Sequence, residues 1–276
     1  MATATGWERE NRAHFDEIAA DYDKARWEYP AQLFRDIFEY SGAGARAVEI
    51  GAGTGKATAP FLDAGYAVTA VEMGANMAKF LESKFRGRRG LAIVNDTFEN
   101  ASLEDGAYDL AYAASAFHWV DAEIGCPKVH RLLKSGGAFA LFRNNLVPSD
   151  GEDLYEEIQI CYARHYNTHY TSSKRPARKS ERDFREPAGI YQGFRFEGME
   201  MHGFRDVRMK FYDAALTYGA DEYIALLDTH SDHRSLPEAN RAGLYSGVRD
   251  AIARHGGKLT MKCVFQLYMG KKSTPP

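Results

Sequence analysis

Apolar positions in the N-terminal part of the chain recur at helical spacing. Residues 7–22 alternate apolar and charged side chains in this way, and residues 31–40 place four apolar side chains on one helical face. Residues 41–45 read SGAGA, a stretch that ends a helix. The pattern therefore predicts two helices ahead of the first strand.

From residue 46 onward, short apolar runs alternate with helical segments. Arg131 and Lys134 lie near the end of the last of these helices, and Gly136 is predicted to cap it in the left-handed conformation. Strict alternation of this kind predicts a parallel sheet with helices on both faces. The predicted strands are 46–50, 66–71, 91–94, 108–114 and 138–143, and the predicted helices before the last one are 55–63 and 75–85.

The alternation stops near Asn144. Residues 150–203 are helical and polar at first, then rich in glycine and aromatic residues. A strand at 205–216, helices at 220–230 and 237–255 and a final strand after Gly257 are predicted next. The two late strands indicate a closing antiparallel edge.

Composition narrows the class of protein. The 276 residues carry 35 Lys and Arg against 38 Asp and Glu, a net charge of −3, which argues against a dedicated nucleic-acid binder. Cys126, Cys161 and Cys263 form no CxxC pair, so neither a zinc knuckle nor a disulfide framework is predicted. With no apolar signal segment and no long apolar run, we expect a cytoplasmic protein that does not span a membrane.

The stretch VEIGAGTG, residues 48–55, joins the first strand to the next helix. Glycines at such a turn let the backbone approach a ligand closely, and the helix start points amide groups toward it. The dinucleotide fingerprint is G-x-G-x-x-G, but here the third glycine, Gly55, comes one residue early. A phosphate-binding Walker loop is excluded because its G-x-x-x-x-G-K-[ST] pattern is absent.

Three acidic residues stand at the ends of successive predicted strands. Glu49 precedes the glycine loop, Glu72 ends the second strand, and Asp96 follows the third. A carboxylate at the position of Glu72 suits the two hydroxyls of a ribose. Asp96 suits an adenine amine, and Phe98 suits the face of an adenine ring.

These motifs resemble those of class I S-adenosylmethionine-dependent methyltransferases. The resemblance covers VEIGAGTG, AVEMGANM, NDTFE, YDLAYAASAFHWVD and RLLKSGGAFALF, where Ser135 replaces the usual proline of L-K-P-G-G. It extends to ADYDKARWEYP, DTHSDHRSL and GGKLTMKCVFQLYMGKK, which are similar to a small-molecule subgroup of the methyltransferase type 11 kind, the trans-aconitate methyltransferase-like enzymes. Residues 146–204 are the least matched part.

The resemblance implies an α/β, Rossmann-like fold with a seven-stranded, mostly parallel sheet, one antiparallel strand, helices on both faces and a helical cap insertion. Residues 1–145 would hold an N-terminal arm and the first part of the core, and residues 146–204 the cap or substrate lid. Residues 205–272 would complete the core, with 273–276 as a frayed tail.

The resemblance also implies S-adenosyl-L-methionine as cofactor and S-adenosyl-L-homocysteine as product. It places the methionine part of the cofactor against Gly51, Ala52, Gly53, Gly55 and Ala114, with Glu49 orienting the loop or facing the amino group. Tyr22 and Arg26 would close over the cofactor carboxylate, and Glu72 would hold the ribose. The adenine would contact Met73, Met77, Asp96, Thr97 and Phe98.

Two side chains after the fourth strand are candidates for contact with the substrate. His118 has the residue type of a general base, or else it caps a helix, and Trp119 either contacts the substrate or packs over the cofactor. His165 and His169 stand four residues apart, but surface packing is favoured over a metal site, and no metal is expected. The basic run at 174–182 is either a solvated loop or a means of steering an acidic substrate.

The predicted function is transfer of a methyl group from S-adenosylmethionine to a small-molecule acceptor by in-line displacement. A carboxylic acid is favoured because the resembling subgroup includes enzymes that methylate small acids. The alternatives are a non-catalytic protein that binds S-adenosylmethionine and an NAD-dependent oxidoreductase. We expect a small-molecule substrate, no nucleic-acid or membrane partner, and a monomer or homodimer; no N-P-P-Y tetrapeptide of nucleic-acid methyltransferases follows the fourth strand.

Overall fold

A computed structural model describes residues 9–42, 46–149, 151–170, 178–196 and 198–273. The chain forms two compact units, each built from three segments. The sheet unit comprises Glu28–Asn145, Arg182–Tyr212 and Val264–Pro276. The helical unit comprises Met1–Trp27, Leu146–Glu181 and Asp213–Cys263.

Seven strands form one sheet in the order β3-β2-β1-β4-β5-β7-β6. Their bounds are β1 Arg46–Ile50, β2 Ala67–Val71, β3 Leu91–Val94, β4 Tyr108–Ala114, β5 Leu133–Pro148, β6 Phe204–Gly219 and β7 Lys258–Lys272. Strands β3, β2, β1, β4 and β5 pair in parallel. Gly270 lies against Phe204, whereas Thr260 bonds Thr217, so β7 runs antiparallel to β6. This confirms the predicted fold class, including its one antiparallel strand.

Eleven α-helices are present in the part of the chain that is described. They are α1 Ala19–Ala25, α2 Ala31–Ser41, α3 Thr58–Asp63, α4 Ala75–Lys84, α5 Ala122–Leu132, α6 Glu152–His165, α7 Asn167–Tyr170, α8 Pro187–Phe194, α9 Ala220–Leu227, α10 Ser231–Arg234 and α11 Glu238–Arg254. A 3₁₀ segment, Arg9–Ile18, precedes α1, so the single helix predicted at 7–22 is two elements, and residues 7 and 8 lie outside the described residues.

The central strands explain why the sheet unit folds. β1 and β4 are buried along nearly their whole length because helices cover both faces, as their unbroken apolar sequences predict. Val48, Ile50 and Leu110 are at most 1% exposed. Burial of each such side chain contributes about 1.5–3 kcal/mol.

The helical unit has a separate core. Along α11, Leu244, Val248 and Ile252 recur at helical spacing and are fully buried. They cluster with Ile158 of α6 and Ile224 of α9. The unit therefore buries its own apolar surface through helix packing.

Element positions agree closely with the sequence pattern, with one instructive exception. The strands predicted at 91–94 and 108–114 have those bounds, but β5 begins at Leu133 rather than 138. Tyr108 of β4 pairs with Leu133, but Leu110 pairs with Ala138, so the register between β4 and β5 shifts between these two pairs. The prediction that Gly136 caps a helix is therefore wrong: Gly136 has φ +74° inside this irregular strand segment.

The predicted domain bounds differ from the two units. Residues 182–204, predicted as cap, belong to the sheet unit, whereas residues 213–263, predicted as core, belong to the helical unit. The tail 274–276 lies outside the described residues. Among the helices in the described ranges, none combines the length and the apolar character that a membrane crossing requires.

Candidate active site

The glycine loop between β1 and α3 depends on three left-handed residues. Gly51, Gly53 and Gly55 have φ of +69°, +55° and +81°. A Cβ on Gly51 would lie 2.6 Å from Cβ of Ala116, and one on Gly55 would lie 2.5 Å from Leu81. At Gly53 no atom lies within 4 Å of that position, so Gly53 alone faces open space. The loop is packed on two sides and open at its middle.

This asymmetry predicts different effects of two alanine substitutions. Gly51→Ala should reduce the free energy of unfolding by about 2–4 kcal/mol, because a left-handed conformation and overpacking add. Gly53→Ala should cost only about 1 kcal/mol of stability but weaken S-adenosylhomocysteine binding at least ~10-fold, since its methyl enters the open space. Urea unfolding and calorimetry measure both. Wild-type affinity in Gly53→Ala would contradict a ligand at this position.

Glu72, at the end of β2, ties the glycine loop to the start of α4. Its Oε2 accepts from the Gly53 amide at 2.7 Å, and its Oε1 accepts from the Gly74 amide at 2.8 Å. The side chain is buried, and such charge-assisted bonds are short and strong. Asn95 Nδ2 donates to the Glu72 carbonyl oxygen at 2.8 Å and fixes the neighbouring backbone. The carboxylate therefore stands at the open middle of the loop.

Glu49 is buried beneath the loop. Its Oε2 accepts from Thr58 Oγ1 at 2.6 Å and from Tyr112 OH at 3.1 Å, which joins β1, α3 and β4. Its Oε1 is buried and has no hydrogen-bond partner among the described residues. Burial raises the pKa of Glu49 to about 8, and the charge of Glu72 contributes to the rise. These contacts agree with the predicted role of orienting the loop.

The predicted adenine contacts lie in different environments. Asp96 is half-buried, and its Oδ1 accepts from the Thr97 amide at 2.7 Å. Phe98 is only 4% exposed and belongs to the core, with Lys128 Nζ 5.1 Å from its ring centroid. Met77 is likewise buried, whereas Met73 is 38% exposed. Of these side chains, Met73 and Asp96 are the more accessible, and the assignment of all five to adenine stays a prediction.

His118 lies in a short 3₁₀ turn, Phe117–Trp119, just after Ala114, the last residue of β4. It does not cap the following helix, because Asp121 is the N-cap of α5 and accepts from the Glu123 amide at 3.1 Å. Burial, with a smaller contribution from the guanidinium groups of Arg143 and Arg195, lowers the pKa of His118 to about 3. His118 is therefore a neutral imidazole and a weak base at neutral pH.

The two arginines beside His118 were not predicted from sequence. Arg143, in β5, donates through Nη1 to the Gly193 carbonyl oxygen, and its buried Nε has no partner among the described residues. Arg195 has the left-handed φ of +62°, and its Cζ lies 5.9 Å from the Trp119 ring centroid. Burial lowers the pKa of Arg143 to about 10, so it stays charged at neutral pH.

No carboxylate forms an ion pair with either Arg143 or Arg195 among the residues that the structure describes. Arg195 is exposed, whereas Arg143 is partly buried, and a partly buried cation that lacks a counter-ion is costly. Together with His118 and Trp119, these arginines form what we call the arginine cluster. A bound anion would supply the missing charge.

A polar group formed by Ser115, Tyr29 and Asn144 was also not predicted from the sequence. Ser115 has the left-handed φ of +52°, unusual for a residue with a side chain. Its Oγ lies 2.9 Å from Tyr29 OH and donates to Asn144 Oδ1 at 3.4 Å. Strained residues of this kind concentrate at functional sites. The left-handed backbone of Ser115 and its polar contacts therefore indicate a functional role for the end of β4.

Tyr22 and Arg26 belong to the helical unit. Arg26 Nη2 donates to the Thr229 carbonyl oxygen at 3.0 Å, and its Cζ lies 4.9 Å from the Tyr22 ring centroid. The buried Nε of Arg26 has no partner among the described residues. The two side chains are thus brought together, and their contact with the cofactor carboxylate stays a prediction.

The basic run carries less chemistry, because its described arginines are paired with carboxylates. Lys174 and Arg175 lie outside the described residues, whereas Arg178 is paired with Glu152 Oε2 at 2.5 Å. Arg182 pairs with Glu186 on the surface. A steering role for this run stays a hypothesis.

The parallel sheet, the glycine loop and the acids at three strand ends are similar to those of class I S-adenosylmethionine-dependent methyltransferase domains. Residues 48–141 match the family model described as a methyltransferase domain. The glycine loop, Glu72, Asp96 and His118 all lie within that match. S-adenosylmethionine is the cofactor of this class, and the NAD alternative is not supported.

Relatives agree with this class. The chain is 30% identical over 136 residues to an uncharacterized methyltransferase of Mycobacterium tuberculosis, covering 49% of this chain and 54% of the relative. It is 26% identical over 157 residues to a candidate S-adenosylmethionine-dependent methyltransferase of Saccharomyces cerevisiae, covering 55% and 53%. The chain thus spans about half the length of these curated relatives.

A solved structure extends the similarity of fold to nearly the whole chain. A candidate type II methyltransferase from Anaeromyxobacter dehalogenans superposes with a TM-score of 0.61, covering 91% of this chain and 99% of that one, at 20% identity. At this identity the likeness concerns the fold alone. The similarity to the trans-aconitate subgroup stays a prediction.

The residues present fit S-adenosylmethionine. Gly53 faces open space, where any other residue would project a side chain. The Glu72 carboxylate stands beside it and suits the ribose hydroxyls. The buried Oε1 of Glu49 has no partner among the described residues, and ionisation of this carboxyl at the base of the loop would suit a cationic ligand.

Proposed function

We propose that this protein transfers a methyl group from S-adenosylmethionine to a small-molecule acceptor, and that the acceptor is a carboxylic acid. The bound cofactor supplies a methyl group already activated on a sulfonium. The protein therefore has to bind both partners, align them and exclude water. The glycine loop, Glu72 and Asp96 would hold the cofactor, as the methyltransferase domain match supports.

The arginine cluster is the observation that carries the choice of a carboxylic acid. Arg143 and Arg195 are two guanidinium groups without a carboxylate partner among the described residues, and both lie close enough to His118 to lower its pKa. Guanidinium groups bind carboxylates through paired, charge-assisted hydrogen bonds. A small acid would give the buried charge of Arg143 its counter-ion.

His118 supports the same choice. With a pKa of about 3, it is a poor general base at neutral pH. A phenol or an alcohol acceptor needs a base, but an ionised carboxylate does not. We infer that His118 and Trp119 position the acceptor and that the acceptor arrives already ionised. A role of His118 as a general base is therefore less well supported than a role in positioning the acceptor.

A radiolabelled methyl-transfer screen tests the proposed function. The protein is incubated with S-adenosylmethionine labelled in the methyl group and with small carboxylic acids, each paired with its primary amide. Labelled product should form only with the free acids, and mild alkali should release the label as methanol because methyl esters hydrolyse. A label that resists alkali would contradict a carboxylate acceptor, and no transfer to any compound class would contradict catalysis.

Substitution of the arginines tests how the acid is bound. Arg143→Gln and Arg195→Gln should each raise the KM for an acid acceptor about 10–100-fold, since each removes a hydrogen bond to a charged group worth about 1.5–3 kcal/mol. The affinity for S-adenosylhomocysteine, measured by calorimetry, should stay near wild type. Arg182→Gln is the matched control, because Arg182 pairs only with Glu186 on the surface. An unchanged KM in both variants would rule out this binding mode.

A further inference from the structure

The turn between α9 and α11 in the helical unit brings three metal-binding side chains together. His230, Asp232 and His233 each offer one ligand atom, and these atoms all lie within 4.8 Å of one another. Asp232 and His233 are 4% and 5% exposed, whereas His230 is half-buried. The cluster is thus enclosed by protein yet reachable beside His230.

Tyrosines hold Asp232 in place. Tyr166 OH donates to Asp232 Oδ2 at 2.5 Å, and Tyr170 OH donates to the Asp232 carbonyl oxygen at 2.5 Å. Because Tyr166 OH and the His233 ring both approach its oxygens, hydrogen bonding favours the ionised form of Asp232. Asp232 is therefore an ionised carboxylate at neutral pH, the state in which it binds a cation.

His233 is oriented through both ring nitrogens. Its Nδ1 lies 3.1 Å from Asp232 Oδ1, and its Nε2 lies 2.9 Å from Tyr162 OH. Because Asp232 is ionised, the proton of a neutral His233 sits on Nδ1, and Tyr162 donates to Nε2. Such partners fix the orientation of an imidazole in metal sites.

His230 completes the set, and its ring nitrogens have no hydrogen-bond partner among the described residues, although its backbone N–H donates to the Leu227 carbonyl oxygen. Its ring centroid lies 5.5 Å from that of His233. Arg26 is the cation facing this group, but its Nη2 is directed to the Thr229 carbonyl oxygen. A neutral, half-buried imidazole has a lone pair to give to a metal.

We propose that His230, Asp232 and His233 bind a divalent transition-metal ion of the Zn²⁺ type, with a fourth position open to water or another ligand. Two imidazoles and one carboxylate form a ligand set that Zn²⁺ accepts in proteins. Tyr162 and Tyr166 orient the ligands from outside. This departs from the expectation of no metal, which considered His165 and His169 rather than this group.

Binding of the metal ion at this site needs no oxidant, reductant or other added reactant. The ion takes the place of the proton between His233 Nδ1 and Asp232 Oδ1. In a neutral His233 that proton moves to Nε2, and Tyr162 OH then accepts a hydrogen bond where it had donated one. No bond to carbon changes and nothing is oxidised or reduced. The tautomer change predicts that metal binding releases no net proton when His233 starts neutral.

Binding of Co²⁺ and Zn²⁺ tests the site. The full chain is used without a purification tag, after a chelator has removed any bound metal. Titration with Co²⁺ should produce visible d–d absorption at one equivalent, and calorimetry should give one Zn²⁺ site. His230→Ala should weaken Zn²⁺ at least ~100-fold, since it removes a ligand, and Tyr166→Phe about 10-fold, since it removes a partner of a ligand. His14→Ala is the matched control, because His14 only pairs with Glu17 in the helical unit.

Two outcomes would overturn the proposed site. One is the absence of both Co²⁺ absorption and a heat of Zn²⁺ binding with the wild-type protein. The other is a Zn²⁺ affinity that stays unchanged in His230→Ala and Tyr166→Phe, which would indicate adventitious surface binding only. Far-ultraviolet circular dichroism checks that the variants are folded, and the wild-type titration decides the matter if they are not. S-adenosylhomocysteine affinity is measured in parallel, so failure of the metal site and failure of the proposed function remain distinguishable.

Discussion

Replacing Glu72 with alanine should raise the dissociation constant for S-adenosylhomocysteine at least ~100-fold. The carboxylate accepts from the Gly53 and Gly74 amides, so its removal frees the open middle of the glycine loop. It also removes the proposed acceptor of the ribose hydroxyls. A hydrogen bond to a charged group is worth about 1.5–3 kcal/mol, and two such losses exceed a factor of 100. Calorimetry with purified protein measures the change.

A thermodynamic cycle separates the two roles of Glu72. S-adenosylhomocysteine is compared with an analogue that lacks a ribose hydroxyl, on wild type and on Glu72→Ala. If Glu72 touches the ribose, the missing hydroxyl should weaken binding to wild type but not to the variant. Glu82→Ala, on the exposed side of α4, is the control and should bind both ligands as wild type does. Equal losses in both proteins would restrict Glu72 to holding the loop.

The cofactor side of the site was predictable because its chemistry is local in sequence. The glycine loop, Glu72 and Asp96 each follow a short apolar strand, and parallel strands bring their carboxyl ends to one edge. The predicted strand bounds were accurate where burial is continuous, as in β4. They failed in β5, where an irregular pairing between Tyr108 and Leu110 absorbs extra residues that the apolar pattern does not record.

The acceptor side was not predictable because tertiary contacts create it. Arg143 and Gly193 are 50 positions apart, and Tyr29 and Ser115 are 86 apart. One local signal was present: Arg143 directly follows the buried run AFALF of β5, whose last residue pairs with Ala114 at the end of β4, where open sheets bind ligands. Arg195 offered no such signal, since its left-handed backbone conformation shows only in the structure.

The contribution of Glu49 to the stability of the free protein should fall as pH rises from about 4.5 to about 8. An unfolded glutamate has its ordinary pKa of 4.5, whereas burial raises the pKa of Glu49 to about 8 in the folded protein. The folded state therefore holds this proton more tightly. Its stabilising effect is complete below the unfolded pKa and is lost as pH rises through the folded pKa.

The expected size follows from the difference of 8 − 4.5, or 3.5, in pKa. At about 1.4 kcal/mol per unit, ionisation of Glu49 costs on the order of 5 kcal/mol by pH 8. Glu49→Gln should abolish this loss, because its amide resembles the protonated acid. The amide oxygen still accepts from Thr58 and Tyr112, while the amide nitrogen takes the place of the partnerless Oε1.

Urea unfolding of wild type and Glu49→Gln at several pH values between 5 and 8.5 measures this difference directly. The two proteins should have similar stability at pH 5, and the variant should be the more stable by several kcal/mol at pH 8.5. Subtraction removes the other titrating groups, and Glu82→Gln controls for a change of surface charge. A difference that stays constant across this range would mean that Glu49 is ionised throughout. If Glu49 behaves as expected, a cationic cofactor should reduce the difference in free energy of unfolding between the two proteins at high pH. The cofactor favours the ionised Glu49 of wild type and binds only the folded state.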